Sequence, residues 1–133
     1  PYLSVATPSS HDTATVRGWW EENPALSQRF YNEILGNSFS SPFFCEPYIV
    51  KQIIVQHLYS PSMWAIFAIQ DLLGIDGNLR LQDAGAERIN NPGNPNHYWR
   101  YRMHLSIEDL LEQTWFNQVL RDELKASGRM EIY

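Results

Sequence analysis

The stretch "MWAIFAI", residues 63–69, decides the fold class of this chain. It is a continuous apolar run of strand length, and it is too short and too apolar for a surface helix. A strand that is apolar on both faces is typical of a parallel sheet covered by helices. A second candidate strand, "YLSVAT" at residues 2–7, is rich in β-forming residues and runs into Pro8 and two serines. The roughly 55 residues between the two leave room for the right-handed crossover that a parallel pair requires.

The segment between the strands predicts three helices, over residues 14–22, 24–35 and 47–59. Asp12 or Thr13 is the expected N-cap of the first helix, because short polar side chains satisfy the free N–H groups of a first turn. An Asn-Pro pair opens the second helix and a glycine ends it, while a Glu-Pro pair opens the third. The order strand, helices, strand predicts an α/β chain.

A long polar loop and one more helix follow the second strand. Residues 76–96 are rich in Gly, Asn and Pro, and a loop of that length inside a compact domain is usually functional or disordered. Ser106 and Asp109 form a predicted capping box for the last helix, which Gly128 ends. The apolar face expected for this helix consists of Leu110, Leu111, Trp115, Val119 and Leu124.

Composition and charge exclude several classes of function. The formal net charge is −5 and no basic cluster exists, so we expect no nucleic-acid partner. No apolar run reaches the ~18 residues of a membrane span. Cys45 is the single cysteine, which excludes an internal disulfide, fits a reducing compartment such as the cytoplasm and predicts a small buried hydrophobe. Because the chain begins at Pro1 rather than at methionine, a leader ahead of it stays open.

The residues best suited to catalysis or ligand binding are His11 and Asp12, which follow the first strand and precede a helix. In an α/β barrel this is the rim where catalytic groups collect. A carboxylate beside free helix N–H groups is stabilised in its ionised form, which suits it to holding a developing cation or sugar hydroxyls. The alternative is that Asp12 is only a helix cap and His11 a polar loop residue. The histidines have no ligand-like spacing, so we expect no metal site.

Aromatic and amide side chains favour a carbohydrate ligand, since large amphipathic rings stack on sugar faces and amides bind hydroxyl groups. Each of these residues could instead be ordinary core or loop packing. The rings are Trp19, Trp20, Tyr98, Trp99 and Tyr101, and the amides are Asn90, Asn91, Asn94 and Asn96.

Four segments together resemble one enzyme family. "HDTATVRGWWEE" (11–22), "PSMWAIFAIQDLL" (61–73), "ERINNPGNPNHYWRYRM" (87–103) and "SGR" (127–129) look like the carboxyl-terminal part of 4-α-glucanotransferases. These are the amylomaltases or disproportionating enzymes of glycoside hydrolase family 77, and the plant cytosolic branch is the most similar. The likeness runs over nearly all of the chain, and residues 23–60 match least distinctively.

The resemblance implies that residues 1–133 form one segment of a (β/α)8 barrel, mostly helical as an isolated piece, with "YLSVAT" as the seventh strand and "MWAIFAI" as the eighth. It also implies transfer of α-1,4-glucan segments by a retaining double displacement, which needs two carboxylates and no cofactor. In the family, the nucleophile and the acid/base residue come from earlier strands that are not in this chain.

The resemblance also implies roles for individual residues. Asp12 is similar to the family's third carboxylate, which grips the 2- and 3-hydroxyls of the sugar at the cleavage point, and His11 to its neighbouring histidine. The substrate-binding residues implied by the family's loop are Asn90, Pro92 and Gly93, and Trp19 is a candidate stacking ring. Gln70 and Asp71 match a pair for which we expect a supporting role.

Two expectations follow from the missing residues. The chain alone should have no transferase activity, and bare strand edges should favour self-association. The alternative is a non-catalytic glucan-binding or helical interaction module that descends from such an enzyme. The sequence does not distinguish glucose, glycogen or another polysaccharide as the acceptor.

Overall fold

The computed structural model describes residues 1–130 and contains the expected parallel strand pair. Strand β1, Val5–Ala6, pairs with strand β2, Trp64–Ala65, in the register Val5 to Trp64 and Ala6 to Ala65. Regular strand geometry covers only two residues of each, far less than predicted. Backbone hydrogen bonds nevertheless extend the pairing on both sides, from the Met63 N–H to the Tyr2 carbonyl at 2.8 Å and from the Ile66 N–H to the Ala6 carbonyl at 2.9 Å.

The prediction that both faces of these strands are buried is wrong for the described chain. Ala65 and Phe67 pack against the helical core, whereas Val5 and Trp64 are 52% and 58% exposed. Alternate residues of a strand point to opposite faces, so one face lies on the helices and the other is open. The open face carries large apolar side chains.

Helices α1, Val16–Glu22, and α2, Pro24–Arg29, follow β1. The predicted start of α1 at residue 14, with its cap at Asp12 or Thr13, is wrong. Thr15 is the N-cap, and its hydroxyl accepts from the Gly18 N–H at 3.2 Å. The opening of α2 is confirmed, and this helix continues as a π-helical turn, Phe30–Ile34, that ends before a glycine with a positive φ of 69°.

Helix α3, Pro47–Leu58, begins at the expected proline and lies at the centre of the core. Helix α4, Ile69–Leu73, begins shortly after β2, so the predicted strand ends early and its last residue belongs to a helix. The long loop after α4 contains a 3-10 turn, Ala84–Glu87, and is therefore partly ordered by its own local structure.

The last predicted helix is two helices, α5, Ile107–Leu111, and α6, Thr114–Ala126. The capping box at the start of α5 is confirmed, and so is the stop at Gly128, which has a φ of 70°. The break shifts the helical register, so that Leu111 and Trp115 are exposed and Phe116 is buried instead. The predicted apolar face is therefore wrong at those two positions.

The core lies between α1, α3, α4 and α6, and its large, fully buried members are Trp20, Ile49, Val50 and Leu73. Cys45 is a free thiol in the same core, and its expected role as a small buried hydrophobe is confirmed. Burial raises the pKa of this thiol well above its usual range. Within residues 1–130, no helix has both the length and the apolar character needed to span a bilayer.

Candidate active site

His11 and Asp12 lie on an exposed loop between β1 and α1, residues 7–15, which we call the His11 loop. Ser10 and Thr13 close this loop as a turn, since the Thr13 N–H donates to the Ser10 carbonyl at 3.2 Å and the Ser10 N–H to the Thr13 hydroxyl at 2.9 Å. The turn accounts for the late start of α1. His11 Nε2 lies 3.3 Å from Asp12 Oδ2, and the two side chains are 57% and 53% exposed. Both groups are therefore available to a ligand.

Asn90 joins this pair from the long loop, residues 76–96, that follows α4. Its side-chain amide Nδ2 donates to Asp12 Oδ1 at 2.7 Å, across 78 positions in the sequence. The Asn90 carbonyl in turn accepts from Arg88 Nε at 2.9 Å, which holds the backbone next to the amide. Asp12 thus receives a hydrogen bond on one oxygen and faces the His11 ring with the other. It is held by these two side chains and not, as expected, by the free N–H groups of α1.

Pro92 and Gly93 follow Asn90 in a turn that the Asn94 N–H closes by donating to the Asn91 carbonyl at 2.9 Å. The structure therefore places these two predicted site residues a short distance along the loop from the Asp12 contact. The loop is fastened from its far side as well, because His97 Nε2 lies 2.9 Å from the Ile89 carbonyl.

An aromatic ring completes the exposed cluster. The Trp99 ring lies 5.4 Å from the His11 ring, centre to centre, with an angle of 44° between the planes. Trp99 is itself exposed, so its face is accessible. The sequence offered Trp99 only as one of five candidate rings, and its proximity to His11 arises from the folding of the loop.

Trp19 and Trp20 are placed differently. Trp20 is fully buried, and its indole N–H donates to the Pro42 carbonyl at 3.0 Å, so it is a core residue. Trp19 packs edge-on against Phe30, with ring centres 5.1 Å apart. It also lines a pocket of about 310 Å³ together with Ser10 and other residues of the His11 loop. Trp19 thus faces that loop across the pocket.

A buried carboxylate on α4 fastens both ends of the His11 loop. Asp71, which is 1% exposed, accepts a hydrogen bond from the Ser9 hydroxyl on Oδ2 and one from the Val16 N–H on Oδ1, the latter at 2.8 Å. Burial raises the pKa of Asp71, and these two hydrogen bonds oppose that rise. The neighbouring Gln70 donates from Nε2 to the Glu87 carbonyl at 3.2 Å. The supporting role expected for Gln70 and Asp71 agrees with these contacts.

An ion pair between Arg17 and Glu87 attaches the long loop to α1. The two side chains are 5% and 3% exposed and are in direct contact through Arg17 Nη1 and Glu87 Oε1. Arg17 also donates to the Leu81 carbonyl at 2.7 Å, and Glu87 accepts from the Thr15 hydroxyl at 3.1 Å. Burial raises the pKa of Glu87, and the attraction of Arg17 opposes that rise. Sequence reasoning missed this pair, because nothing local relates residues 70 positions apart.

The exposed cluster can bind hydroxyl groups and stabilise positive charge. Asp12 offers carboxylate oxygens, while His11 and Asn90 can donate or accept hydrogen bonds. In the described part of the chain, His, Cys, Asp and Glu form no group of three that could hold a metal ion.

Comparison with known proteins assigns this chain to a family. The model of glycoside hydrolase family 77, described as 4-alpha-glucanotransferase, matches residues 1–107. The chain belongs to the 4-alpha-glucanotransferase family. The resemblance to this family is thereby confirmed, and the first three of its four segments lie within the matched residues. The site roles that the resemblance implied stay predictions, and the proximity of Asp12 to Asn90 is a property of the fold.

Relatives of this chain occur in plants and bacteria. It is 40% identical over 128 residues to a 4-alpha-glucanotransferase of Oryza sativa subsp. japonica, a match that covers 96% of this chain and 14% of the rice protein. It is 34% identical over 119 residues to the 4-alpha-glucanotransferase of Chlamydia trachomatis, covering 89% of this chain and 22% of that protein. The chain therefore spans between a seventh and a quarter of the length of these relatives.

A solved structure has the same fold. The chain superimposes on an amylomaltase from Streptococcus agalactiae, solved in complex with acarbose, with a TM-score of 0.67 and 20% sequence identity. The match covers 96% of this chain and 22% of the amylomaltase chain. The helical architecture with its short parallel strand pair is thus that of part of an amylomaltase.

Proposed function

We propose that residues 1–133 are one segment, the carboxyl-terminal part of the catalytic (β/α)8 barrel of a 4-α-glucanotransferase. Strands β1 and β2 are then the seventh and eighth strands of the barrel. The parallel pairing of β1 with β2, the helical crossover between them and the small share of each relative that the chain covers support this assignment.

In this proposal the parent enzyme transfers α-1,4-glucan segments between maltooligosaccharides, or to glucose or glycogen, by a retaining double displacement. Asp12 stabilises the transition state, and the observation that carries this role is the 2.7 Å hydrogen bond from Asn90. The bond orients the Asp12 carboxylate while leaving the side chain half exposed. An oriented carboxylate lowers the energy of an oxocarbenium-like transition state more than that of the neutral substrate, which raises the rate of the chemical step.

The neighbouring residues bind the substrate in this proposal. His11 hydrogen-bonds the same sugar ring as Asp12, and the loop of Asn90, Pro92 and Gly93 borders the cleft. Trp19 is a further proposed substrate-binding residue. Its position in the lining of a pocket shared with the His11 loop supports this role. No cofactor takes part, because a retaining glucosyl transfer uses only protein carboxylates.

Two further parts of the proposal concern the chain alone and its location. The nucleophile and the acid/base residue of the family lie outside this chain, so the isolated chain should be inactive. The exposed apolar face of β1 and β2 should make it self-associate, and a clean monomer by light scattering at high concentration would contradict that. A cytoplasmic location is inferred from Cys45, which is buried and free.

Maltotriose disproportionation by the full-length protein that contains this chain tests the role of Asp12. The Asp12→Asn variant keeps the shape of the side chain and removes its charge. We expect kcat to fall by ~100-fold or more, as for the loss of other oriented transition-state contacts, with a smaller change in KM.

Asp122→Asn is the matched control. Asp122 is an exposed residue of α6 whose Oδ1 also accepts from a side-chain amide, that of Gln118, at 2.7 Å. Its substitution should leave kcat and KM unchanged. Full activity of Asp12→Asn would mean that Asp12 is only a polar loop residue, and the proposed role would be lost. Absence of transferase activity in the unmodified full-length protein would instead favour a non-catalytic glucan-binding module.

A further inference from the structure

We propose that Asp71 is a positioning residue of the transferase, which holds both ends of the loop that carries His11 and Asp12. This inference rests on the proposed function, because it assigns to Asp71 an effect on the reaction that acts through Asp12. The inference goes further than the proposed function because it names a buried residue of α4 as the support of the His11 loop.

A single carboxylate makes both attachments. Asp71 Oδ2 accepts from the Ser9 hydroxyl, which lies just before His11 and Asp12. Asp71 Oδ1 accepts from the Val16 N–H, which lies just after them, at 2.8 Å. The two ends of the loop are therefore joined through one rigid group.

Beyond Asp71, the tip of the loop contacts the rest of the protein through the hydrogen bond from Asn90 to Asp12 and the Trp99 ring beside His11. Its own turn, between Ser10 and Thr13, determines its local shape but does not attach it to the core. The side chains of His11 and Asp12 are more than half exposed, so they add little packing. The anchors at either end therefore place the backbone of the loop, while Asn90 orients the Asp12 carboxylate.

Asp71 is well placed to be such an anchor. It belongs to α4, which begins shortly after β2, and it is 1% exposed. A Cβ atom added at Gly74, just after α4, would lie 3.1 Å from both the Asp71 carbonyl and a Val50 methyl group, so α4 packs tightly against α3. The Val16 N–H is a first-turn donor with no partner inside its helix, so Asp71 also satisfies a buried donor. A functional group held by a rigid second layer keeps its geometry more accurately than one on a free loop.

The proposal is tested in the full-length enzyme with Asp71→Ala and Asp71→Asn. The alanine variant removes both attachments, while the asparagine variant keeps an acceptor for the Val16 N–H and can donate to the Ser9 oxygen. We expect Asp71→Ala to lower kcat by ~10-fold to 100-fold with KM changed by less than about threefold, because misplacing Asp12 weakens a contact made mainly in the transition state. Asp71→Asn should stay within about fivefold of the wild type, and an unchanged kcat for a folded Asp71→Ala enzyme would overturn the proposal.

A double variant separates positioning from general destabilisation. In the Asp12→Asn background, Asp71→Ala should lower kcat by less than about threefold, because its effect acts through Asp12. An equal loss in both backgrounds would mean that Asp71 is merely structural. If Asp12→Asn alone retains full activity, the proposed function fails. If it is impaired and Asp71→Ala is not, only the present inference fails.

Two further variants complete the design. Asp76→Ala is the control, since Asp76 Oδ1 also accepts two backbone N–H groups, of Asn78 at 2.8 Å and of Leu79 at 3.3 Å, but far along the chain from the His11 loop. It should leave kcat unchanged. If Asp71→Ala does not fold, Ser9→Ala decides the question, because it removes one attachment only. A fall in kcat that disappears in the Asp12→Asn background supports the proposal, and an unchanged kcat contradicts it.

Discussion

Replacing Glu87 by alanine should loosen the loop that carries Asn90 from helix α1. The change removes the carboxylate that neutralises Arg17, while both side chains are at most 5% exposed and water cannot take over the lost contact. It also removes the acceptor of the Thr15 hydroxyl, the N-cap of α1. The start of α1 and the long loop therefore lose stability together.

The expected magnitude follows from the burial of the pair. Breaking a buried ion pair on one side typically costs about 3 to 5 kcal/mol, because the remaining charge stays in a medium of low polarity. Arg17 keeps its hydrogen bonds to the Leu81 and Gln82 carbonyls, which places our expectation near the lower value. About 3 kcal/mol corresponds to roughly a 100-fold change in an equilibrium constant.

Amide hydrogen exchange of the full-length protein is the assay, since it reports the free energy of local opening for each segment separately. Amides in α1 and in residues 84–90 should exchange ~100-fold faster in Glu87→Ala, while amides of α6 should change little. The double variant Arg17→Met with Glu87→Leu should exchange more slowly than the single variant, because a packed apolar pair leaves no buried charge.

Two results would refute this reasoning. One is unchanged exchange of α1 in Glu87→Ala, which would mean that the ion pair adds nothing to the stability of this region. The other is an Arg17→Met with Glu87→Leu double variant that is destabilised by the full sum of the effects of Arg17→Met alone and Glu87→Leu alone. That result would mean that the two charges do not depend on each other.

Three more predictions follow from other contacts. Arg129 donates to the carbonyl of Leu58, the last residue of α3, and to carbonyls of the segment between α3 and β2, at 2.6 to 3.3 Å. Arg129→Ala should therefore lower the free energy of unfolding in urea by about 2 to 4 kcal/mol, against no measurable change for the exposed Arg121→Ala. Trp99→Ala should raise the KM for maltotriose by ~5-fold through loss of the ring beside His11, and the same effect from Tyr98→Ala, whose ring contacts Arg100 instead, would contradict a specific role. The pKa of Asp71 is raised in the folded state, so the folded form binds more protons than the unfolded form just above pH 4. The stability of the wild type should therefore fall relative to that of Asp71→Asn as pH rises through that raised pKa. A difference in thermal midpoint between the two proteins that is constant from pH 4 to 7 would contradict this.

The sequence by itself determined the elements whose causes are local. The parallel strand pair follows from two apolar runs with a crossover between them, and the capping box at Ser106 follows from two residues three positions apart. The family was also readable from the chain, because its motifs are short and lie in order along it. His11 and Asp12 were found for the same reason, since they stand next to each other after a strand.

Only the tertiary structure decided which distant groups meet. The contacts of Asp12 with Asn90, of Asp71 with Ser9 and of Arg17 with Glu87 join residues 62 to 78 positions apart. Local patterns carry no information about such pairs. Two of them form where the long loop folds back over α1, and the Asp71–Ser9 contact forms where α4 meets the His11 loop. The N-cap at Thr15 likewise depends on a turn and on a partner from that loop, so the local preference of Asp12 for a cap position was overruled. The site therefore takes its residue types from the sequence and its geometry from long-range packing.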